Sequence, residues 1–525
     1  MGAYGLLCAV AVALGGFVFG FDASVISGTV GLVSRDFVLD DWQVGFLVAS
    51  PTLGAVMASL VAGTLADVVG RKKVLITIAF LYVLSAFASA WAPGYAWLVL
   101  GRFIGGLAFA SLILAPIYIA EIAPADVRGR LVSINQLNIV VGFSAAYFCN
   151  FAILRLSASG LDWVHALGID VHTWRWMLGA GSVPAVIYFV LLFFVPESPR
   201  WLVMQREDKR GRAVLARLLP RLSNSEIEQQ LVEIRATAAS DENGVTGRFW
   251  QLFGPKVRYA LLVGMIVGIA QQITGVNAVY FYAPVIFEQS GVGTNAAFAQ
   301  AIWVGVINVL FTVVAMVFID RWGRKPLLVV GLAGVFVSMS ICAWGFSQAR
   351  YQLSQEDIDG LATVVDSQRL EPLVGQQFNS DVEFKQAMRE VLGDAETRKA
   401  ESTLIQAAIQ INPMLVLLGI LGFVASFAVS LGPVMWVLFS EIFPNRLRGL
   451  AISFVGVINS AVSFMVQLVF PRELSLLGAA TTFLIYGLFA LLGLWLVLWL
   501  LPETRQKSLE EIEAEFARRA TGGRA

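Results

Sequence analysis

The chain has 525 residues, of which 57% are hydrophobic and only 14% are charged, with 37 basic and 37 acidic side chains. Soluble domains carry about 25% charged residues, so this composition excludes a soluble enzyme and a disordered protein. The balanced charge provides no basic excess that would indicate nucleic-acid binding. The three cysteines lie far apart within apolar stretches and lack metal-ligand spacing, which excludes a disulfide scaffold.

Apolar runs of about 20 residues, long enough to cross a membrane, occur along the whole chain. The first six predicted spans are 4–32, 44–66, 74–91, 97–119, 131–154 and 176–195. The second six are 260–287, 296–319, 327–346, 414–439, 450–470 and 476–501. The first run is too long for the core of a signal peptide and has no basic residue before it, so we expect it to remain as a span.

Lys and Arg concentrate in the segments that the spans place on one side of the membrane. With the N-terminus inside, the inner segments hold 26 of these 37 residues and the outer segments hold 10. Basic residues favour the cytoplasmic side. We therefore predict a multi-pass protein of the cell (inner) membrane with both termini in the cytoplasm.

Three inner motifs of the first half recur in the same order in the second half. GTLADVVGRKK (63–73) recurs as VFIDRWGRKPL (317–327), EIAPADVRG (121–129) as EIFPNRLRG (441–449), and PESPR (196–200) as PETR (502–505). The distance between copies rises from 253 to 320 residues, which predicts an outer insert at 347–412 between spans nine and ten. Duplicated six-span units are the organisation of many transporters that work by alternating access.

The repeat predicts four parts of the chain. A six-helix bundle covers 1–196, a cytoplasmic helical linker 197–258, a second six-helix bundle with the insert 259–502, and a cytoplasmic tail 503–525. The linker contains SNSEIEQQLVEI, where Ser223 and Glu226 form a capping-box start for an amphipathic helix. Helices are also expected for DVEFKQAMREVL in the insert and for SLEEIEAEFARR in the tail.

Asp22 and Arg102 are the only charges well inside the spans of the first half. Each costs roughly 2.5–3.5 kcal/mol to place in a membrane, so neither belongs on a lipid face. Both are expected in the outer part of the bundle at depths that allow pairing. The pair can be a static contact that fixes helix packing. It can also be a proton switch, since a carboxylate that gains and loses an Arg partner releases and binds a proton. Both histidines fall in an outer loop, which leaves Asp22 as the better candidate.

Six amide side chains within the spans offer donors and acceptors for the hydroxyls of a sugar. They are Gln136, Gln271, Gln272, Asn277, Asn308 and Asn459. Amides also join membrane helices to one another. For any one of these residues alone, ligand binding and helix packing are equally compatible with the sequence.

Several motifs together resemble the sugar porter family of the major facilitator superfamily. They are GGFVFGFD (15–22), GTLADVVGRKK (63–73), GRFIGG (101–106), EIAPADVRGR (121–130), PESPRWL (196–202), QQITGVNAVYFYAP (271–284), DRWGRK (320–325) and PETR (502–505). The resemblance covers all twelve spans and leaves the outer insert unmatched. It implies an all-α membrane protein with the major facilitator fold, in which twelve transmembrane helices form two pseudo-symmetric six-helix bundles. The family includes proton-coupled bacterial sugar symporters and uncoupled glucose facilitators.

The resemblance also implies roles for individual residues. Asp22 and Arg102 match the proton-coupled members, whereas glucose facilitators have Asn in place of the Asp. The positions that match sugar contacts are Gln136, Gln271, Gln272, Asn277, Asn308, Trp436 and Asn459, and those that match the aromatic gate are Phe19, Phe281 and Tyr282. Phe281 stands where many relatives have Tyr, Ser460 where they have Trp, and Phe143 where xylose symporters have Gln. These departures bear on which sugar is bound more than on the substrate class.

Charged residues cluster at the inner ends of the helices, as they would in any solvated inner loop. In the family, such clusters form ion pairs between neighbouring helices that close the inner side in the outward-open state. The matching residues are Asp67, Arg71, Glu121, Arg128, Glu197, Asp320, Arg324, Glu441, Arg448 and Glu503. Val68 replaces the usual basic residue in the first cluster.

These observations favour a proton-coupled monosaccharide symporter that works by alternating access as a monomer in the lipid bilayer. The alternatives are an uncoupled sugar facilitator, a non-transporting sugar receptor and a drug–proton antiporter. A short tail disfavours the receptor, and the neutral, amide-rich site disfavours the antiporter. No nucleophile–base motif, phosphate loop or metal cluster occurs in the sequence, so we expect neither an enzyme nor a cofactor, metal ion or nucleic-acid partner, with the proton as the coupling ion.

Overall fold

The structure is a computed structural model that describes residues 2–220, 222–243, 249–254, 257–361, 365–444, 447–505, 507, 511–512 and 515–516. Residues 125, 126, 128, 237–243, 320 and 367 are described by their backbone alone. Helices account for most of this length, because the apolar runs are rich in Leu, Ala and Val and have few internal prolines.

The helices before the cytoplasmic linker follow the first six predicted spans. They are α1 (Ala3–Val25), α2 (Val30–Phe37), α3 (Asp41–Val69), α4 (Arg71–Ala90), α5 (Tyr95–Ala108), α6 (Ser111–Ile122), α7 (Ala125–Ser157), α8 (Asp162–Ala166), α9 (Thr173–Ala180) and α10 (Ser182–Phe193). The linker then forms α11 (Pro199–Met204), α12 (Asp208–Leu218) and α13 (Asn224–Asn243).

The second half repeats this arrangement with an extra folded segment in its middle. Its first helices are α14 (Arg258–Ile273), α15 (Val276–Glu288), α16 (Thr294–Trp322) and α17 (Arg324–Ser347). The insert contributes α18 (Gln355–Leu361), α19 (Ser367–Leu370), α20 (Asp381–Leu392) and α21 (Asp394–Ala408). The chain ends with α22 (Pro413–Val429), α23 (Leu431–Ile442) and α24 (Arg448–Leu500).

Eleven helical stretches among the described residues are long and apolar enough to cross a membrane. Ten of them coincide with the first ten predicted spans to within four residues at each end. The eleventh, Arg448–Leu500, has 53 residues and covers predicted spans eleven and twelve. At about 1.5 Å per residue it would measure about 80 Å, far more than one membrane crossing requires. Non-helical backbone at Gly478 (φ 77°, ψ 165°) divides it into two helices. The predicted all-α membrane fold is confirmed for the spans.

A glycine separates the two helices of span seven. Gly275 has φ +85°, a left-handed conformation that glycine adopts without steric cost, and it lies between α14 and α15. A Cβ at this position would also lie 2.5 Å from a ring carbon of Tyr486. The break places Gln272 at the end of one helix and Asn277 at the start of the next.

By internal packing the chain divides into two compact units. The first unit comprises residues 1–25, 50–146 and 175–247, and the second comprises 26–49, 147–174 and 248–525. The second unit thus includes the outer ends of spans one, two and five, and α2 packs against α15 and α21 within it. These units do not follow the chain order of the predicted four-part division, which stays a prediction.

The linker begins its longest helix at the predicted capping box. The backbone N–H of Ser223 donates to Glu226 Oε2 (2.7 Å), and the N–H of Glu226 donates to Ser223 Oγ (3.3 Å). These hydrogen bonds from Ser223 lower the pKa of Glu226 below its usual value. Ile227 and Leu231 are buried on the apolar face of α13, as predicted. Most of the predicted tail helix lies outside the described residues, although Phe516 contacts Tyr259 with ring centroids 5.5 Å apart.

The insert is a small α/β domain with its own core, which the all-α expectation did not include. Its described residues form a three-stranded antiparallel sheet in the order β2 (Gln377–Phe378), β1 (Arg350–Gln352) and β3 (Ile409–Gln410). The predicted helix at 381–392 is present as α20. Tyr351, Phe384, Met388 and Leu404 are among the buried residues of a continuous apolar core.

Candidate functional site

Asp22 and Arg102 form a buried ion pair in the first unit, as the sequence predicted. Arg102 Nη1 donates to Asp22 Oδ1 (2.9 Å), and Nη2 donates to the backbone carbonyl of Asp22 (2.8 Å). The side chain of Arg102 is only 2% exposed and that of Asp22 only 10%. Asp22 lies on α1 and Arg102 on α5, so the pair joins two membrane helices.

Small residues of the GRFIGG motif make room for this pair. A Cβ on Gly105 would lie 2.5 Å from Ser85 Oγ and 3.1 Å from Asp22 Oδ2. A Cβ on Gly101 would lie 2.8 Å from Ser89 Oγ. Glycine is therefore required for α5 to approach the carboxylate and the two serines of α4 this closely.

The pair leaves several polar atoms unused. Asp22 Oδ2, Arg102 Nε, Ser85 Oγ and Ser89 Oγ are buried and have no hydrogen-bond partner among the described residues. Buried polar atoms without partners are rare and often mark functional positions. One carboxylate oxygen thus holds the arginine, while the other has no hydrogen-bond partner among the described residues.

Four of the predicted sugar ligands form one hydrogen-bonded cluster in the second unit. Gln272 Nε2 donates to Gln271 Oε1 and to Asn459 Oδ1, both at 3.1 Å. Asn459 Nδ2 donates to Gln271 Oε1 (2.9 Å), and Asn277 Nδ2 donates to Gln272 Oε1 (2.8 Å). The cluster joins α14, α15 and α24.

This cluster is neutral and largely buried, since Gln271, Gln272 and Asn459 are each 6–8% exposed. In this arrangement the amides satisfy one another, so a bound sugar would replace some of these bonds with its own hydroxyls. Sequence reasoning missed Ser463, whose hydroxyl accepts from Asn277 Nδ2 (2.6 Å) and from Gln467 Nε2 (2.9 Å). Its position one helical turn after Asn459 was the available signal.

The structure does not bring the remaining predicted ligands into this cluster. Asn308 accepts instead from the hydroxyl of Tyr280 (3.1 Å). Trp436 is half exposed and its ring packs against Phe439, with centroids 5.9 Å apart. Gln136 belongs to the first unit, where it is half-buried on α7.

The predicted gate aromatics lie in two groups. In the first unit, Phe19 contacts Phe109 edge-on, with centroids 4.6 Å apart, and also approaches Phe143. In the second unit, Tyr282 packs against Phe470 (centroids 4.9 Å apart) and donates to the backbone carbonyl of Gln467 (3.3 Å). Phe281 is buried beside Tyr282 on α15.

The inner charge cluster of the first unit joins three helices. Arg71, the first residue of α4, contacts Asp67 (2.7 Å) near the end of α3 and Glu121 (3.3 Å) near the end of α6. Glu197 Oε1 accepts from the backbone N–H of Lys72 (3.0 Å) at the start of α4. The side chain of Arg128 lies outside the described residues.

The second unit repeats the pattern with the equivalent residues. Arg324 contacts Glu441 (2.7 Å), and Glu503 accepts from the backbone N–H groups of Arg324 (3.2 Å) and Lys325 (3.1 Å). Arg448 donates to the carbonyl of Phe443 (3.3 Å) and forms no ion pair with a described residue. The side chain of Asp320 lies outside the description.

The repeated membrane helices, the buried ion pair and the amide cluster define a secondary transporter of the major facilitator class. The chain belongs to the sugar porter family within that class, because the family described as "Sugar (and other) transporter" matches residues 8–365 and 400–516. The break in this match falls inside the insert.

Individual proteins match nearly the whole chain. The arabinose-proton symporter of Bacillus subtilis (strain 168) is 33% identical over 97% of this chain and 94% of its own length. The glucose transporter GlcP of Staphylococcus epidermidis is 32% identical over 98% of this chain and 97% of its own. The xylose transporter XylE from E. coli, in an inward-open conformation, has a TM-score of 0.73 and 29% identity over 97% of this chain and 98% of that chain.

Proposed function

We propose that this protein is a proton-coupled monosaccharide symporter that works by alternating access. The buried pair between Asp22 and Arg102 carries the proposal, because a facilitator has no need of an ionisable pair within its spans. The amide cluster provides a neutral site suited to sugar hydroxyls. Relatives named for symport of arabinose with protons, and for transport of glucose and xylose, support the same substrate class.

Coupling in this proposal depends on one carboxylate and its partner. While Arg102 holds Oδ1 of Asp22, the carboxylate remains charged. When rocking of the helices separates the pair, the desolvated carboxylate takes up a proton, for which Oδ2 already has no donor among the described residues. Re-forming the pair releases the proton on the other side, so one proton crosses with each cycle.

Sugar binding depends on the amides at the break in span seven. Gln272 and Asn277 lie on opposite sides of Gly275, so a change at this glycine would move their amide groups apart. A monosaccharide would then accept from Gln271, Gln272, Asn277 and Asn459 and donate to them in place of their mutual bonds.

We also propose the predicted placement in the membrane, with both termini cytoplasmic and the insert outside. The positive charge of the inner segments supports it. A monomer in the bilayer is sufficient for this mechanism, since each chain contains the ion pair and the amide cluster.

The Asp22→Asn variant tests the coupling role. Asparagine has a similar shape but cannot release a proton, so uphill sugar uptake driven by an inward proton gradient should be lost. Exchange of labelled for unlabelled sugar needs no net proton movement and should survive. Asp162→Asn, at the exposed start of α8, is the matched control and should behave as the wild type. A variant that accumulates sugar normally would exclude Asp22 as the coupling group, and a wild type that never accumulates sugar would be a facilitator.

A further inference from the structure

The insert contains a buried ion-pair network, and its helices α20 and α21 pack against α24 and α2. Lys385 on α20 is 3% exposed and contacts Glu401 (2.9 Å) and Asp381 (3.8 Å). Burial lowers the pKa of Lys385, but the carboxylates of Glu401 and Asp381 outweigh this effect and raise it above its usual value. Asp381 Oδ2 also accepts from the backbone N–H of Ala479, beside the break at Gly478 (3.4 Å).

A cavity of about 140 Å³ lies beneath the docked insert. Its walls come from α2 and the start of α3 on one side and from α15 and α24 on the other, and α20 and α21 of the insert complete it. The aromatic rings of Tyr282 and Phe470 form part of its lining. Because Tyr282 matches a gate position, the cavity adjoins the predicted gate.

The charges around this cavity balance. Three cations and three carboxylates line it, namely Arg35, Lys385 and Arg398 with Asp41, Glu288 and Glu401. A lining without net charge favours a neutral polar ligand over an anion or a cation.

These groups retain hydrogen-bonding capacity. Asp41 uses Oδ2 for Arg472 and Ser475, Glu401 uses Oε1 for Lys385, and Glu288 uses Oε2 for Ser402. Each carboxylate therefore keeps its second oxygen for a ligand. Arg35 and Arg398 form no ion pair or hydrogen bond with any residue that the structure describes, although both line the cavity.

The size of the cavity restricts its ligand further. An engineered cavity of about 150 Å³ binds a single benzene ring, so this cavity has room for one six-membered ring. Aromatic faces at Tyr282 and Phe470 suit the C–H surface of such a ring, and the charged groups suit hydroxyls around its edge. Hydrogen bonds to charged groups are stronger than those between neutral groups.

We propose that this cavity is a second binding site for the transported monosaccharide, outside the gate and completed by the insert. The inference rests on the proposed function, since it takes the ligand to be the sugar that the amide cluster binds. The walls of the cavity belong to spans one and two on the one hand and to spans seven and eleven on the other. These two groups of spans must separate when the outer side opens. Sugar held here is therefore released towards the amide cluster by the same movement.

Equilibrium dialysis of labelled sugar against the purified full-length chain tests the proposal. The wild type should bind two sugars per chain with different affinities. In Arg35→Gln/Arg398→Gln the affinity of one site should fall by about tenfold or more, because two charged donors are lost. Neither arginine has a partner among the residues that the structure describes, so the variant should fold normally. Gln272→Ala should lose sugar binding at the amide cluster and keep the site beneath the insert.

A control variant that removes one nearby positive charge, and three outcomes, decide the matter. Lys399→Gln changes an exposed residue of α21 outside the cavity and should keep both sites. If the wild type binds one sugar and Gln272→Ala abolishes that binding, the outer site is refuted and the proposed function is not. Two sites that persist unchanged in the double arginine variant would also refute the outer site. A wild type that binds no sugar would refute the proposed function and this inference together.

Discussion

Replacing Gly105 by alanine perturbs the ion pair without removing either charge. The new Cβ would lie 2.5 Å from Ser85 Oγ and 3.1 Å from Asp22 Oδ2. Non-bonded heavy atoms of this kind rest at about 3.5–4.0 Å, so the serine must move by roughly 1 Å and the carboxylate by several tenths. Such a shift of the carboxylate changes the geometry of the 2.9 Å bond between its Oδ1 and Arg102 Nη1. Overpacking of a dense core costs about 1–3 kcal/mol, which is the destabilisation that we expect.

The assay separates coupling from folding. Gly105→Ala should lower the sugar accumulation ratio under a proton gradient while equilibrium exchange is largely retained, and its thermal unfolding should shift downwards. Gly63→Ala is the control, since a Cβ there meets nothing within 4 Å. Accumulation equal to that of Gly63→Ala would show that the geometry of the pair is not needed for coupling.

A second substitution checks the packing argument itself. Ser85→Ala removes a buried hydroxyl that has no partner among the described residues, so alone it should be neutral or slightly stabilising. Combined with Gly105→Ala, it removes the closer of the two clashes and should restore part of the lost stability. If the stability changes of Ser85→Ala and Gly105→Ala simply add in the double variant, the contact between positions 85 and 105 is contradicted.

Two further changes test the amide cluster and the insert. Gln272→Ala should weaken sugar binding by more than about tenfold, since its amide is bonded to Gln271, Asn277 and Asn459, and unchanged affinity would assign it to helix packing. Lys385→Met should destabilise the insert by about 1–3 kcal/mol, because it removes the buried cation that pairs with Glu401 and Asp381, and limited proteolysis should then cut the insert more readily. Equal cleavage of Lys385→Met and the wild type would show that this lysine does not hold the insert.

The sequence was most informative where a strong physical constraint acts on a single residue. Long apolar runs have few alternatives to membrane helices, so ten spans agree with the structure closely. A charge inside a span must find a partner, and only Arg102 was available to Asp22 within the first half. The repeated motifs at the inner helix ends also adopt equivalent contacts, as Glu197 and Glu503 show.

Other features depend on which side chains meet, and periodicity does not contain that information. Glu441 and Arg448 lie in the same motif, but the structure pairs Glu441 with Arg324 from another helix. In the sequence Ser463 resembles an ordinary small residue, and only the structure shows that it lies beside Asn277. The sheet of the insert is formed by strands of two or three residues, which are too short to show an alternating pattern.

The two ends of the insert meet in one sheet, where Tyr351 of β1 faces Ile409 of β3. The chain therefore leaves span nine and enters span ten at nearly the same point, as it would through a tight turn. Compared with a short turn, closing a loop eight times longer costs only about 2 kcal/mol more in conformational entropy. The core of the insert offsets this cost. Such a domain can be gained, lost or exchanged in evolution without altering the spacing of the helices that carry it.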